Sequence, residues 1–312
     1  MSAYHNSNLL YRPSISLWTA RKLDKAQSAK VNTDAGAVTG AANVYKQLLP
    51  ESAKLADIQK FAGSFRQWVY DSTLPWDDSG WRIGTVVRHM DFMAAAGDKM
   101  RAFDALVDAF ITEYTTEYEQ SKFSLNDLWN ASDYLGVNEV RAKFAISVDV
   151  TSLPNVEDFR VVDGIPQPEV ERLVSEARTS VEDRVNAAVK EAYARLHTVV
   201  AKMAATLTQY EGKEVKKFND TLVANIADVV ALMPALNILH DPTLDALAAE
   251  AKLLTDYAPE DLRKDNVTRR TAIKEAETLA KKFAIATGTN APAPAPSLTS
   301  TASKLMDMME TV

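Results

Sequence analysis

The chain of 312 residues contains no cysteine. That excludes disulfides, thiolate nucleophiles and cysteine-ligated zinc or iron–sulfur centres, and it suits a reducing compartment. Histidine is scarce as well: His5, His89, His197 and His240 are far apart and none stands in metal-ligand spacing. Glycine occurs only 10 times and proline 12 times, so little of the chain is built from turns. Pro13 and the run Pro292, Pro294 and Pro296 read as lying outside the folded body. Phosphate-cradling loops and a nucleophile elbow are missing, since no G-x-x-x-x-G-K-[ST], G-x-G-x-x-G or G-x-S-x-G occurs. No apolar run approaches the length of a membrane span, and the first residues, MSAYHNSNLLYRPSIS, lack a charged segment followed by an apolar one, so no secretory signal is expected. Net charge is −7, which argues against a broad electrostatic footprint on nucleic acid.

What is present favours helix. Ala, Leu, Val, Glu and Lys dominate, and hydrophobic residues make up 46%. Leu55, Ile58, Phe61, Phe65, Trp68 and Val69 follow helical spacing after Ser52, a suitable N-cap. A second stretch, about 85–120, carries Val86, Met90, Met93, Met100, Phe103, Leu106, Val107, Phe110 and Tyr114 on one face. Its outer face is acidic: residues 71–120 hold ten Asp or Glu against four Arg or Lys, a local charge of −6. Such a face is solvated or receives a basic partner. Phe144, Ile146, Val148 and Val150 alternate with polar residues, predicting a strand, and Phe159–Val162 suggests a second. Residues 14–18 are compatible with either a strand or the start of a helix. Arg21, Lys22 and Lys25 form a small basic cluster that reads as a solvated helix face.

The second half is dominated by a long helix starting near Pro168. Its apolar positions are Val174, Ala177, Val181, Val185, Ala188, Ala192, Leu196, Val199, Met203, Leu207 and Tyr210. The steps of three and four sum to an eleven-residue repeat, which predicts straight or slightly right-handed pairing in a coiled coil. After Gly212 comes Val215, Phe218, Leu222, Ile226, Val229 and Met233, stopped by Pro234, so the chain either kinks or folds back as a helical hairpin. Asp241-Pro242 begins another helix, and a last one spans about 267–285. The expected architecture is therefore mostly α (α+β). Residues 1–166 form an N-terminal helical domain with a small β-hairpin, and residues 167–286 a long helical hairpin or coiled coil. Residues 287–312 form a disordered linker and short apolar tail.

The one cluster of rare residue types is W-V-Y-D-S-T-L-P-W-D-D-S-G-W-R, with Trp68, Trp76 and Trp81. Asp77-Asp78 there can cap, fix a turn, or bind an ion or partner. The indoles serve as core anchors or as recognition surface, and an anchoring loop would pin two helices at the N-terminal core. Trp76, Asp77, Asp78, Trp81 and Arg82, with Leu305, Met306 and Met309 of the tail, are the candidate partner-binding residues. Arg21, Lys22 and Lys25 with nearby indoles are the candidates for nucleic acid. No catalytic residue, metal ligand or cofactor is expected, and His197 is read as structural or exposed.

Six strings resemble an uncharacterised family of bacteriophage and mobile-element proteins. They are S-I-S-L-W-T-A-R-K-L-D-K (14–25), L-P-W-D-D-S-G-W-R (74–82), F-D-A-L-V-D-A-F-I (103–111), F-x-I-x-V-D-V-x-x-L-P-x-x-x-D-F-R-V (144–161), F-N-D-T-L-V-A-N (218–225) and L-N-I-L-H-D-P-x-L-x-x-L (236–247). The resemblance covers roughly 14–285. It implies a phage-encoded protein whose gene lies near those of MoxR/CobS-like ATPases and their von Willebrand-type partners. On that basis the expected function is non-enzymatic: an oligomeric interaction protein in host takeover or DNA metabolism, an adaptor or substrate of an AAA+ ATPase, in the cytoplasm of an infected bacterium. A single-stranded DNA-binding or recombination accessory protein is the alternative.

Overall fold

The computed structural model describes residues 7–155, 164–210 and 219–287. The expected second strand at 159–162, the turn at Gly212 and the apolar tail lie outside the described residues. In chain order the elements begin with β1 (Asn8–Ser16), β2 (Arg21–Leu23), α1 (Lys25–Asp34), β3 (Tyr45–Gln47), α2 (Ala53–Ser72), β4 (Leu74–Pro75) and β5 (Arg82–Thr85). Then come α3 (His89–Leu125), α4 (Val137–Arg141) and β6 (Ala145–Ser152). The remainder is helical: α5 (Gln167–Tyr210), α6 (Thr221–Leu236), α7 (Pro242–Leu253), α8 (Pro259–Lys264) and α9 (Asn266–Ala286). The chain is mostly α with small antiparallel sheets, as the periodicity predicts.

The division into compact units does not follow chain order. One unit combines 1–10, 72–88 and 152–312, and the other combines 11–71 and 89–151. Among the described residues, 72–88 thus cluster with the second half of the chain. The reason is a packing preference: the tryptophan loop buries its apolar side chains in one cluster with the second half of the chain.

In the first unit α5 is the spine. Val181, Val185, Ala188, Ala192, Leu196, Met203 and Leu207 are buried in one cluster with Leu222 and Ile226 of α6, Leu244 and Leu247 of α7, and Ala272, Ala276 and Phe283 of α9. The eleven-residue repeat is therefore satisfied by the chain's own helices, and this stretch of the stripe calls for no second copy. Small residues, Ala188 and Ala192 on α5 and Ala272 and Ala276 on α9, are almost fully buried and permit close helix approach. At 1.5 Å per residue the 44 residues of α5 reach about 66 Å.

Helix starts in this unit obey capping chemistry. Asp241 caps α7, its Oδ1 accepting from the Thr243 N–H at 2.8 Å with Pro242 in the first turn. Asp265 caps α9 by accepting from the Val267 and Thr268 N–H groups. α6 runs past Pro234 to Leu236, whereas the sequence reading stopped it at the proline. In the last turn a proline forfeits one hydrogen bond but still buries its neighbours Met233 and Leu236. Val267, in the first turn of α9, is 74% exposed.

The second unit is organised by α2 and α3. Leu55, Ile58, Phe65 and Val69 of α2 pack with Phe103, Val107, Phe110 and Tyr114 of α3 and with Val140, Phe144 and Ile146. Ser52 does cap α2, its Oγ accepting from the Leu55 N–H at 3.2 Å. Met90 is 76% exposed although the periodicity placed it in the buried face.

Residues 14–18 fall at the end of strand β1 and just beyond it, and Pro13 lies inside that strand. Within this unit Arg12 of β1 pairs with Asp149 of β6 at 2.9 Å, and Ser16 Oγ donates to the Lys143 carbonyl. The basic cluster is not a helix face: Arg21 and Lys22 lie on β2, which pairs antiparallel with β3 (Arg21 opposite Gln47), and Lys25 opens α1. β3 and α1 carry too little apolar periodicity to be read beforehand.

Candidate functional site

The tryptophan loop is a hairpin of β4 and β5, with Leu74 opposite Ile83 and Pro75 opposite Arg82. One oxygen of Asp77, Oδ1, accepts from the Ser79 N–H at 3.0 Å, the Ser79 hydroxyl at 2.8 Å and the Trp81 N–H at 3.1 Å. Trp76 N–H donates to the Trp81 carbonyl at 3.0 Å, and Gly80 takes a φ of 92°, a region only glycine enters freely. Asp77 is thereby committed to the turn. Arg82 is buried; its Nε donates to Thr73 Oγ1 and its Nη2 to the Thr73 carbonyl, each at 2.8 Å. Trp76 is 5% exposed in the α5 core, with the Arg184 guanidinium over its ring at 5.6 Å. Trp81 is half-buried against the same core.

Of the two readings of the indoles, core anchor and recognition surface, the burial of Trp76 fits the first. Trp76 and Arg82 are structural: their contact area is spent inside the first unit rather than displayed to a partner. The loop does not pin the N-terminal helices, because Trp76 and Trp81 belong to the core around α5. Trp68 lies on α2 and stacks on Phe92 at 4.8 Å in the other unit. Asp78 is exposed. Among the described residues no group of three His, Asp or Glu is arranged to hold a metal. Leu305, Met306 and Met309 lie outside the described residues.

The acidic face of α3 is also committed within the chain. Asp104 and Asp108 pair with Arg141 at 3.2 and 3.0 Å, Glu113 with Lys54 at 2.5 Å, Asp98 with Arg101, and Glu119 with Lys122 at 2.7 Å. Little negative charge is left for a basic partner along the middle of the helix. Arg21, Lys22 and Lys25 are exposed. The nearest indole in sequence, Trp18, turns its ring onto Phe110 and Tyr114, at 6.5 and 5.8 Å, and is not presented for base stacking. His197 is half-buried beside Phe283 at 6.0 Å, and burial lowers its pKa.

The most built surface feature of the second unit was not anticipated. After α3 the chain makes two tight turns, Asn126–Leu128 and Ala131–Asp133, with Asn126 at a φ of 43°. Three anchors hold this segment. Lys46 donates to the Leu128 carbonyl at 2.6 Å and pairs with Asp133 at 2.7 Å, the two side chains being only 10% and 13% exposed. Tyr134 donates from its hydroxyl to the Leu48 carbonyl at 2.8 Å and shares a hydrogen bond of 2.8 Å with Ser121 Oγ. Tyr114 donates to the Leu135 carbonyl at 2.8 Å. Burial pushes the Tyr114 phenol up to about 12 and raises that of Tyr134, so both stay protonated donors at physiological pH.

On this frame Tyr118, Trp129 and Tyr134 pack ring to ring, with centroids 5.0 to 6.0 Å apart. The Lys122 ammonium lies over Tyr118 at 5.0 Å and over Trp129 at 5.3 Å. Phe123, next in sequence, is 80% exposed, and Leu128 is 38% exposed. The arrangement is an anchored aromatic cluster, with exposed apolar residues close to it in sequence, and aromatic residues are enriched in binding hot spots. The sequence signal was faint: Tyr118, Lys122, Trp129 and Tyr134 are scattered over a helix end and a loop, and only folding brings them together.

Comparison with protein-family models, with curated proteins and with solved structures finds no match to this chain.

Proposed function

We propose that this chain is a non-enzymatic interaction protein that docks a partner on the aromatic platform at the end of α3. The observation that carries this reading is the platform itself. Phe123 is exposed near the end of α3, and Tyr118 of α3 meets Trp129 of a segment held by a shielded ion pair and three phenol hydrogen bonds to form a two-ring corner. Ordering such a loop costs conformational entropy, and a prepaid frame lets the contact energy of the rings go to a partner. The physiological setting rests on the family resemblance alone: a phage protein in host takeover or DNA metabolism, with an AAA+ ATPase as the partner to try first. Affinity capture from infected cells tests this with the native chain beside Phe123→Asp and Phe123→Ala. A partner retained by the native chain and lost with Phe123→Asp supports the reading. An unchanged set of captured proteins removes it.

A further inference from the structure

The Lys122 ammonium is a cation already seated on the platform, and it identifies what the platform accepts. Its position over the faces of Tyr118 and Trp129 uses the negative face of each ring. The two rings meet at 65°, so they form a corner, and Tyr134 backs that corner edge-on against Tyr118 at 90°. Glu119 completes it, both carboxylate oxygens accepting from Lys122 at 2.8 and 2.7 Å. Asp127 is exposed in the turn that follows.

Lys122 is a replaceable occupant. It lies three residues after Glu119 and four after Tyr118 on the same helix, so its ammonium leaves the corner by rotating side-chain torsions, with no change of backbone. Its side chain is 36% exposed, and the way out is toward solvent. Once it leaves, Glu119 is open to a new partner and two ring faces are uncovered. A guanidinium suits this vacancy better than a second ammonium. It is planar, stacks on a ring, and pairs with a carboxylate through two parallel N–H donors.

We propose that Tyr118, Trp129 and Glu119 form a receptor corner for an arginine side chain of a partner, and that Lys122 fills it until the partner arrives. This rests on the reading of the α3 end as the docking surface and names the chemistry of what docks. Lys122 acts as an internal competitor: it screens the corner from weak cations and yields to an arginine that brings further contacts on Phe123 and Leu128.

The full chain with Lys122→Ala opens the corner without a helix-propensity cost. The probe is acetylarginine amide, with acetylcitrulline amide as its neutral counterpart. The readout is the Trp129 indole N–H resonance, assigned by its loss in Trp129→Phe. In Lys122→Ala the arginine probe shifts this resonance with half-saturation in about the millimolar range, and the native chain needs at least about tenfold more probe. Citrulline leaves the resonance in place, and adding Glu119→Gln weakens the arginine response. Absence of titration in a folded Lys122→Ala chain overturns the proposal, as does an equal response to citrulline. If a partner is lost with Phe123→Asp while arginine does not bind, the docking surface stands and the arginine corner is refuted.

Discussion

Replacing Trp76 by alanine separates a structural indole from a recognition indole. Trp76 is 5% exposed among Leu74, Ile83 and the residues of α5, and Arg184 lies over its ring. Truncating a buried tryptophan removes a large apolar contact and leaves a cavity that the surrounding helices fill only partly, a cost of about 3–5 kcal/mol. Loss of the Arg184 contact adds about 0.5–1 kcal/mol. With a first unit of ordinary domain size, a loss of about 4 kcal/mol lowers its melting temperature by about 8–16 °C. Urea unfolding followed by circular dichroism at 222 nm measures the change directly. Trp81→Ala, at a half-buried position, costs less. A loss below about 1 kcal/mol in Trp76→Ala would refute the assignment of this ring to the core and return it to the surface.

Other consequences follow from single contacts. Asp77→Asn keeps an oxygen acceptor for the Ser79 and Trp81 donors and leaves stability nearly unchanged, whereas Asp77→Ala costs about 1–2 kcal/mol in the same urea assay; equal losses would contradict the turn role. Glu117 has its pKa raised by burial, with Oε2 lacking a hydrogen-bond partner. The fold therefore favours its protonated form, and this contribution is present below the usual glutamate range and lost as pH rises through the raised folded value. Glu117→Gln should match the native chain in acid and exceed it in stability at neutral pH, and parallel stability–pH curves would count against it. Lys46→Met strands the shielded Asp133 carboxylate and costs about 3–5 kcal/mol, while Tyr134→Phe costs about 1 kcal/mol; the reverse order would undo the account of how the platform is held. Because the stripe from Val181 to Leu207 is buried with the chain's own α6, α7 and α9, light scattering should return a mass near 34.3 kDa, and a stable dimer would show that another surface drives association.

Helices with strong periodicity were legible in the sequence, and so was the chemistry of their starts. Ser52, Asp241-Pro242 and the spacing from Val181 to Leu207 specify local hydrogen bonds and one buried face, which need no knowledge of the partner helix. The strand around Ile146 was legible by its alternation. What escaped depends on contacts distant in sequence. Nothing in L-P-W-D-D-S-G-W-R announces that Trp76 meets Arg184, a hundred residues later, so the loop was read with its neighbours. The short strands β2 and β3 bury little and leave no apolar pattern. The platform was invisible for the same reason: Lys46 reaching Asp133, and Tyr134 reaching Leu48 and Ser121, are tertiary facts. The acidic run on α3 misled by excess, since charge summed along a sequence ignores the bases, Lys54 and Arg141, that folding sets beside it.

The central claim, docking through the α3 end, is tested most directly by comparing what the native chain and Phe123→Asp capture from infected cells under identical conditions, with circular dichroism verifying that both are folded. Phe123 is 80% exposed, so the substitution alters the surface while sparing the core. The account predicts that one stoichiometric partner bound by the native chain is missing with Phe123→Asp and restored with Phe123→Trp. The same partner in equal amount on both would contradict it.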